Sequence, residues 1–339
     1  MMKTALRILA GLYLVVLLVV WGVMSRDVGG SWPVTLFLFS PRWVMALPLL
    51  GLLPLTVWKL RWFSLFYLVH VVVMVFPLWG ATLGIDGERR DEALPAIRIL
   101  TCNIGGGDTR APQLISLIKF HRIDVVLLQE CRTEISNPLF EELGWHHRQA
   151  ANLAIGSPHD LGELRVLTRQ PKSKFNAVAG IACDMDWRPG VKDASEGRLV
   201  QLVGVHFPTF RPAFERARDF DGTASETFEK LRERYNVIVQ RTVQASQAHA
   251  LDSGMSTLVA GDFNVPVDSD FYRRHWSSQQ NALSIAGSGL NHTKFTRFHG
   301  IRIDHVLADS QWEVVSAEVG PDLGGDHCPV IAELQCKSW

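Results

Sequence analysis

The chain has 339 residues, enough for one large domain with an appendage or for two ordinary domains. It carries 34 basic and 34 acidic residues, so its formal net charge is zero. A neutral chain lacks the strong positive field through which proteins bind nucleic acid without sequence preference, and this argues against that class of protein. Charged residues are scarce in the first 85 positions and frequent afterwards, which separates an apolar N-terminal part from an ordinary soluble domain.

The cysteines are widely spaced, and no two of them form a CxxC pair. They are Cys102, Cys131, Cys183, Cys328 and Cys336. Their spacing does not indicate a zinc or redox site, and their odd number disfavours a scaffold built on disulfide bonds. We therefore expect buried thiols.

Three apolar segments in residues 1–85 are candidates for membrane-spanning helices, and together they predict a membrane anchor. Residues 8–25 carry no charge and are long enough to cross a hydrocarbon layer. Residues 62–85 are a second strong candidate. Residues 43–58 form a shorter one, which could begin earlier, within residues 34–40, or be re-entrant.

The first segment has a second interpretation as a cleaved signal peptide. The apolar core of such a peptide is usually shorter than residues 8–25, and no small-x-small cleavage site precedes Arg26. We therefore favour a retained helix.

Three spans would put the two chain ends on opposite sides of the membrane. The turn at residues 59–61 would then share a side with Lys3 and Arg7, and the positive-inside rule makes that side cytoplasmic. The sequence thus predicts an integral protein of the plasma or inner membrane whose C-terminal domain faces away from the cytoplasm. The other side carries as many basic residues, namely Arg26, Arg42, Arg89 and Arg90, so charge alone does not decide the orientation.

Residues 86–96 are rich in charge and contain Gly and Pro, which is typical of a linker, and residues 97–339 form the predicted soluble domain. Helical spacing occurs at residues 112–120 and 224–251. Strand-like runs occur at residues 97–103, 124–129, 164–168, 199–206, 257–260, 303–307, 313–319 and 329–334. Many strands with few helices between them predict an α/β fold, a sandwich of two sheets flanked by helices.

Acidic, amide and imidazole side chains recur where these strands stop, and loops at strand ends are where layered folds assemble their sites. In chain order they are Asn103, Gln129-Glu130, Val205-His206, Gly261-Asp262-Phe263-Asn264, Ile303-Asp304-His305 and Gly325-Asp326-His327-Cys328-Pro329. Each one alone is a weak signal. Together they resemble, in family order, the motifs of the endonuclease/exonuclease/phosphatase superfamily. The resemblance covers nearly all of the soluble part and none of the anchor.

The resemblance implies hydrolysis of a phosphate ester at a divalent metal ion. Glu130 supplies a hard oxygen ligand suited to Mg²⁺, with Mn²⁺ as the other candidate ion. Asn103 is expected to add an amide oxygen or to orient a bound water. Asp326 offers a second carboxylate.

The remaining motif residues have expected roles in catalysis. His327 is the expected general base, because the usual pKa of an imidazole lies near working pH. The resemblance implies that Asp304 orients its ring. Asp262 and Asn264 lie on one turn and are expected to flank the reacting phosphate, Asn264 as a donor and Asp262 on the attacking water or the metal. His206 resembles the histidine that contacts the phosphate from the opposite side.

Other residues are weaker candidates. Arg241 and Gln244 resemble a recurrent pair, but a solvated helix face explains them equally well. Thr293 could support the strand that carries Asp304. Glu163 departs from the small residue of many relatives, and His305 should point to the other face of its strand.

The favoured function is hydrolysis of a phosphodiester or phosphomonoester by a membrane-anchored domain, as a phosphodiesterase, nuclease or phosphatase. Lipid head groups, nucleic acid and inositol phosphates all stay open as substrates, and no obligate protein partner is indicated. The anchor slightly favours lipid. One alternative is a catalytically inactive membrane receptor or interaction module on the same fold. Another is a zinc hydrolase, but no paired histidine spacing such as HxxxH occurs at a plausible site.

Overall fold

The computed structural model describes residues 1–85, 87–105, 111–170, 178–189 and 197–337. Asp86 of the predicted linker and the last two positions of the predicted domain lie outside the described residues. The helices are α1 (Met2–Arg26), α2 (Trp32–Leu38), α3 (Leu47–Lys59), α4 (Tyr67–Val73), α5 (Ala111–His121), α6 (Thr133–Leu143), α7 (Arg211–Arg218), α8 (Ala224–Ser253), α9 (Asp270–Trp276) and α10 (Ala282–Ile285). Short 3₁₀ segments precede α3 and α4, at Arg42–Ala46 and Phe63–Phe66, and a π-helical turn at Met74–Leu78 follows α4.

The strands form two large sheets and two small pairs. They are β1 (Thr82–Leu83), β2 (Ala96–Asn103), β3 (Val125–Gln129), β4 (His146–Ala150), β5 (Leu153–Ser157), β6 (Asp160–Leu161), β7 (Arg165–Arg169), β8 (Val178–Trp187), β9 (Arg198–His206), β10 (Ser256–Asp262), β11 (Gln280–Asn281), β12 (Ser288–Gly289), β13 (Lys294–Phe295), β14 (Gly300–Ile301), β15 (Asp304–Ala308), β16 (Trp312–Val319) and β17 (Val330–Cys336). One sheet has six strands in the order β16-β17-β2-β3-β5-β4. The other has seven, in the order β11-β15-β10-β9-β8-β6 with β7 also paired to β8, and the small pairs are β1 with β12 and β13 with β14.

The two large sheets pack face to face because alternate side chains of each strand point into a shared apolar layer. Ile99 of β2 and Leu202 of β9 belong to this inner layer. On the outer face of the six-stranded sheet, Leu128 packs among side chains of α5 and α6. On the outer face of the seven-stranded sheet, Val203 packs with Tyr235 of α8. The result is the predicted α/β sandwich of two sheets flanked by helices.

Every strand and helix predicted in the soluble domain is present, with ends that agree within two residues. The sequence did not reveal α6, the β4–β5 hairpin or β8. The sequence of β8 mixes Gly, Ala, Cys and Asp, which have weak strand preference, although the strand is central in its sheet and largely buried. Its position is set by packing rather than by local preference.

The expectation of buried thiols is confirmed. All five cysteines are buried. Burial raises the pKa of both Cys131 and Cys183 to about 12, so these thiols stay protonated at neutral pH.

One N-terminal helix, α1, is long and apolar enough to cross a membrane. The chain from Trp32 to Lys59 passes the same test only when α2 and the helical segment Arg42–Lys59 are taken together, and these two helices are bent by 87°. The apolar helix Phe63–Leu78 is shorter. The described residues therefore contain one such helix, or two if the bent pair is a single span, and the three-span anchor stays a prediction.

The predicted span at residues 62–85 does not continue as a helix to its end. The chain turns at Gly80, which has φ +75°, a conformation that favours glycine. It then forms β1, and β1 pairs antiparallel with β12 of the C-terminal domain. Strand pairing thus ends the helical part of residues 62–85 earlier than hydropathy indicated.

The N-terminal helices are docked on the C-terminal domain by direct contacts as well as by the linker. The amide of Gly29 donates to Asp270 Oδ2 at 2.9 Å, and Arg273 donates to the carbonyl of Asp27 at 3.0 Å. The ring of Trp32 lies 5.0 Å from that of Phe228, measured between centroids. These contacts hold the domain in a defined orientation relative to α1.

Candidate active site

Strand register brings the predicted site residues to one end of the sandwich. In the seven-stranded sheet, Asp262 at the end of β10 is directly opposite His206 of β9 on one side and Asp304 of β15 on the other. In the six-stranded sheet, Asn103 ends β2 beside Gln129, and Glu130 follows Gln129. Because β2 and β3 run parallel, as do β9 and β10, the carboxyl ends of these strands meet at the same edge.

The Gly-Asp-Phe-Asn turn depends on its glycine. Gly261 has φ +150°, and a Cβ placed there would lie 2.0 Å from the carbonyl oxygen of Val205 on β9. Asn264 adopts a left-handed conformation with φ +53°, and its backbone N–H donates to Asp262 Oδ1 at 2.8 Å. The glycine allows the strands to approach closely, and the turn fixes the Asp262 carboxylate.

Asn103 joins the two sheets at the site. Its Nδ2 donates to Glu130 Oε1 at 3.1 Å and to Asp262 Oδ2 at 3.0 Å. Its Oδ1 accepts from the amide of Gly105 at 3.0 Å, which determines the orientation of the amide group. In this orientation Asn103 holds two carboxylates together instead of offering its oxygen to a cation. The direct ligand role predicted for it stays a prediction.

Glu130 has an unusual backbone conformation. Its φ of +49° is uncommon for a residue with a side chain, and such conformations cluster at functional sites. Its side chain is 47% exposed, whereas that of Asp262 is 2% exposed. The carboxylate pair thus has one buried member and one that faces solvent.

His327 and Asp304 form a buried, oriented pair. His327 Nδ1 donates to Asp304 Oδ2 at 2.9 Å, and Thr293 Oγ1 donates to the same oxygen at 2.6 Å. Burial by itself would lower the pKa of His327, but the charge of Asp304 and its hydrogen bond outweigh burial and raise the pKa to about 9. Thr293 supports Asp304, as the sequence suggested.

Lys294 is a site residue that sequence reasoning missed. Its Nζ lies 2.7 Å from His327 Nε2 and 3.0 Å from Asp326 Oδ2. Burial by itself would raise the pKa of Asp326, but Lys294 outweighs burial and lowers it. The predicted metal ligand Asp326 is therefore paired with a lysine in this structure. In the sequence, only its position next to Thr293 pointed to Lys294 as a site residue.

Asn152 is the second missed residue. Its Oδ1 accepts from the backbone amide of Val178 at 3.1 Å, so its Nδ2 faces His206 Nδ1 at 3.0 Å. Because Nδ1 must accept that hydrogen bond, the proton of the neutral ring is on Nε2. His206 Nε2 lies 3.7 Å from both Glu130 Oε1 and Asp262 Oδ2.

Of the eight predicted residues, seven form one connected set of contacts: Asn103, Glu130, His206, Asp262, Asn264, Asp304 and His327. The eighth, Asp326, joins this set through Lys294. The weaker candidates lie elsewhere. Arg241 and Gln244 are exposed on α8, and Glu163 is exposed. His305 points to the other face of its strand, as expected, and is fully buried against Phe263, where burial lowers its pKa to about 3.

The composition of the site fits a hard divalent cation. Asp262, Asp304 and His327 each present a ligand atom, and these atoms lie within 4.8 Å of one another. The predicted carboxylate ligands Glu130 and Asp326 are not part of this group, and their role as ligands stays a prediction. Two buried carboxylates and the adjacent Glu130 concentrate negative charge in a small volume, and charge of this kind is stable only when it is compensated. Carboxylate oxygens are the ligands that Mg²⁺ prefers.

A family profile described as "Endonuclease/Exonuclease/phosphatase family" matches residues 100–327, a range that contains all eight residues. The chain therefore belongs to the endonuclease/exonuclease/phosphatase family. No curated protein matches its sequence.

Solved structures share the fold. The catalytic domain of human Nocturnin with bound sulfate has a TM-score of 0.52 at 17% identity, over 72% of this chain and 96% of that one. The 3'-5' exonuclease of Neisseria meningitidis has a TM-score of 0.52 at 17% identity, over 70% and 98%. A Bacteroides vulgatus member of the family has a TM-score of 0.52 at 19% identity, over 71% and 99%.

Proposed function

We propose that the chain is a membrane-anchored, divalent-metal-dependent phosphoesterase. The observation that carries this proposal is the meeting of two oriented carboxylates, Glu130 and Asp262, with the Asp304–His327 pair at one edge of the sandwich. Hydrolysis of a phosphate ester needs charge neutralisation, an aligned water and a group that takes its proton, and this set can supply all three.

Glu130 and Asp262 would hold Mg²⁺ or Mn²⁺, with Asp326 as a further carboxylate once it leaves Lys294. The ion, when bound, would neutralise phosphoryl charge and polarise the ester. Asn103 keeps Glu130 and Asp262 close together through its two hydrogen bonds. The two carboxylates are thereby held close enough to bind one cation together.

His327 is the proposed general base. Asp304 accepts from Nδ1, and Nε2 lies 3.8 Å from Asp262 Oδ2. With a pKa of about 9 the ring is largely protonated at neutral pH, and a divalent cation held by Glu130 and Asp262 would offset their negative charge, lower this pKa and free the Nε2 lone pair. A water placed between the ring and the phosphate would give its proton to Nε2. Thr293 holds the Asp304 carboxylate and thereby the ring orientation.

Lys294 controls access to this base. The His327 side chain is only 1% exposed, and the Lys294 ammonium occupies its Nε2. A phosphate is a strong acceptor for an ammonium, so an arriving substrate would draw Lys294 away from His327 and open access to Nε2. Lys294 would then neutralise a phosphoryl oxygen, while His206 donates from Nε2 on the other side.

The substrate stays open among lipid head groups, nucleic acid and inositol phosphates. Full-length protein in neutral detergent should be assayed with Mg²⁺ against DNA, RNA, phospholipids and inositol phosphates. We expect turnover of one class that stops when a chelator removes the metal. Folded protein that hydrolyses none of them would contradict the proposal and favour a binding role for the fold.

We further propose that the catalytic domain lies outside the cytoplasm. Arg7 lies 5.8 Å from the ring of Phe63, so the start of α1 and the basic turn at residues 59–61 share one end of the anchor. The other end of α1 contacts the catalytic domain, where Arg273 donates to the carbonyl of Asp27. Cytoplasmic retention of the basic end would therefore leave the catalytic domain on the other side.

A C-terminal reporter tests this orientation. We expect a reporter that works only outside the cytoplasm to be active on the full chain, and a cytoplasm-only reporter to be silent. Replacing Lys59 and Arg61 with Gln should weaken the preference for this membrane orientation, because fewer basic residues then hold the turn in the cytoplasm. An active cytoplasmic reporter on the unaltered chain would reverse the assignment.

A further inference from the structure

A cavity of about 340 Å³ lies where the N-terminal helices meet the catalytic domain. Its volume is within the range of small-molecule sites, which is roughly 300 to 1,000 Å³. The anchor contributes apolar walls, including Leu38, Phe76 and Trp79. The catalytic domain contributes polar side chains, which include Asp268, His292 and Arg302.

Arg302 is a buried cation with an unused donor. The residue is 7% exposed, and its Nη1 is buried without a hydrogen-bond partner in the described parts of the chain. Burial lowers its pKa, although a guanidinium stays protonated at neutral pH. A buried charge without a partner is costly and calls for an anion.

The nearby carboxylate does not meet this need. Asp268 is paired with Arg42 through both oxygens, with Arg42 Nη2 donating to Oδ1 at 3.2 Å. The charges of that pair cancel. Burial lowers the pKa of His292 to about 4, so this neighbouring imidazole is neutral at pH 7. Among the described residues that line the cavity, Arg302 is therefore the cation that no carboxylate pairs through a hydrogen bond.

The position of the cavity identifies the source of the anion. Arg42 donates to the carbonyls of Leu38 and Leu78, at the ends of two apolar helical segments of the anchor. The indole of Trp79 donates to the carbonyl of Arg42, and Trp43 is 48% exposed. Arginine and tryptophan at the ends of apolar helices are typical of the membrane–water interface, where basic pockets bind anionic head groups.

We propose that this cavity binds the phosphate group of an anionic phospholipid, with Arg302 as its main ligand and the acyl chains on the apolar surface of the anchor. This site is distinct from the catalytic edge and does not depend on the phosphoesterase activity. Arg302 is two positions before Asp304, and His292 is two positions before Lys294. A bound lipid would therefore contact the same loops that carry catalytic side chains.

The test is lipid binding by full-length protein in neutral detergent. Dioleoylphosphatidylglycerol, dioleoylphosphatidylcholine and inorganic phosphate are titrated separately, while melting temperature and tryptophan fluorescence are recorded. We expect saturable stabilisation and a fluorescence change with phosphatidylglycerol only. Equal stabilisation by phosphatidylcholine would overturn the role of charge, and an equal effect of inorganic phosphate would overturn the assignment to lipid.

Arg302→Met keeps much of the side-chain volume and removes the charge. It should bind phosphatidylglycerol at least about tenfold more weakly, because a hydrogen bond to a charged group is lost. Without lipid its melting temperature should equal or exceed that of the unaltered protein, because an unpaired buried cation has been removed. Unchanged affinity for phosphatidylglycerol would overturn the proposal.

Arg297→Met is the matched control, since Arg297 is exposed in the same segment of chain. The affinity of this variant for phosphatidylglycerol should stay within about twofold of that of the unaltered protein, because the charge it removes is solvated. If Arg302→Met does not fold, Arg302→Lys serves instead, because it keeps the charge and loses the planar, two-pronged donor. We expect weaker binding by that variant too, and undiminished binding would again overturn the assignment.

Discussion

Replacing His327 by Ala is expected to lower kcat by roughly a hundredfold to ten-thousandfold, the usual cost of losing a positioned base. Nε2 faces the Asp262 side of the site, while Asp304 and Thr293 hold the ring in place. Metal binding should change little, because Glu130 and Asp262 are untouched. The measurement is steady-state hydrolysis of the ester that the substrate panel identifies, together with Mg²⁺ titration of the variant.

Asp304→Asn should cost less than His327→Ala if Asp304 only orients the ring. The double variant should be little worse than His327→Ala alone, because the two residues act as a unit and their losses do not add. His146→Ala is the control, since this imidazole is 52% exposed and far from the pair in sequence. Full turnover by a folded His327→Ala protein would rule out this base.

Glu130→Gln is expected to reduce activity at least about tenfold at low Mg²⁺ and to recover part of it at high Mg²⁺. The amide has nearly the same size as the carboxylate, so packing is preserved while one anionic ligand is lost. The side chain is already 47% exposed, and little structural cost should follow. Activity measured as a function of Mg²⁺ concentration gives the shift in apparent metal affinity.

The same titration separates this variant from the loss of the base. His327→Ala should lower the plateau without moving the midpoint, whereas Glu130→Gln should move the midpoint to higher Mg²⁺. Glu141→Gln, a change at an exposed position on α6, should do neither. A Glu130→Gln profile that matches the unaltered protein at every Mg²⁺ concentration would exclude Glu130 as a ligand.

Much of the site could be predicted because its chemistry is concentrated at strand ends. Glu130 and Asp262 occur where the apolar strands β3 and β10 stop, and the parallel pairs β2–β3 and β9–β10 carry such ends to one edge. Asp304 begins β15, which runs antiparallel to β10 and so starts at the same edge. Lys294 and Asn152 escaped prediction for a different reason. Each acts on a histidine far along the chain, through a short strand pair or a hairpin turn that leaves no periodic pattern.

The sequence by itself determined the apolar N-terminal segments, the strands of the sandwich and the residue types needed for metal-assisted hydrolysis, because these depend on local hydropathy, periodicity and chemistry. Only the tertiary structure decided which atoms meet. Strand register aligned His206, Asp262 and Asp304, and the pairing of β1 with β12 ended the third apolar segment. Docking of the N-terminal helices enclosed Arg302 beside Arg42 and Asp268, because burial of a side chain depends on elements far apart in sequence.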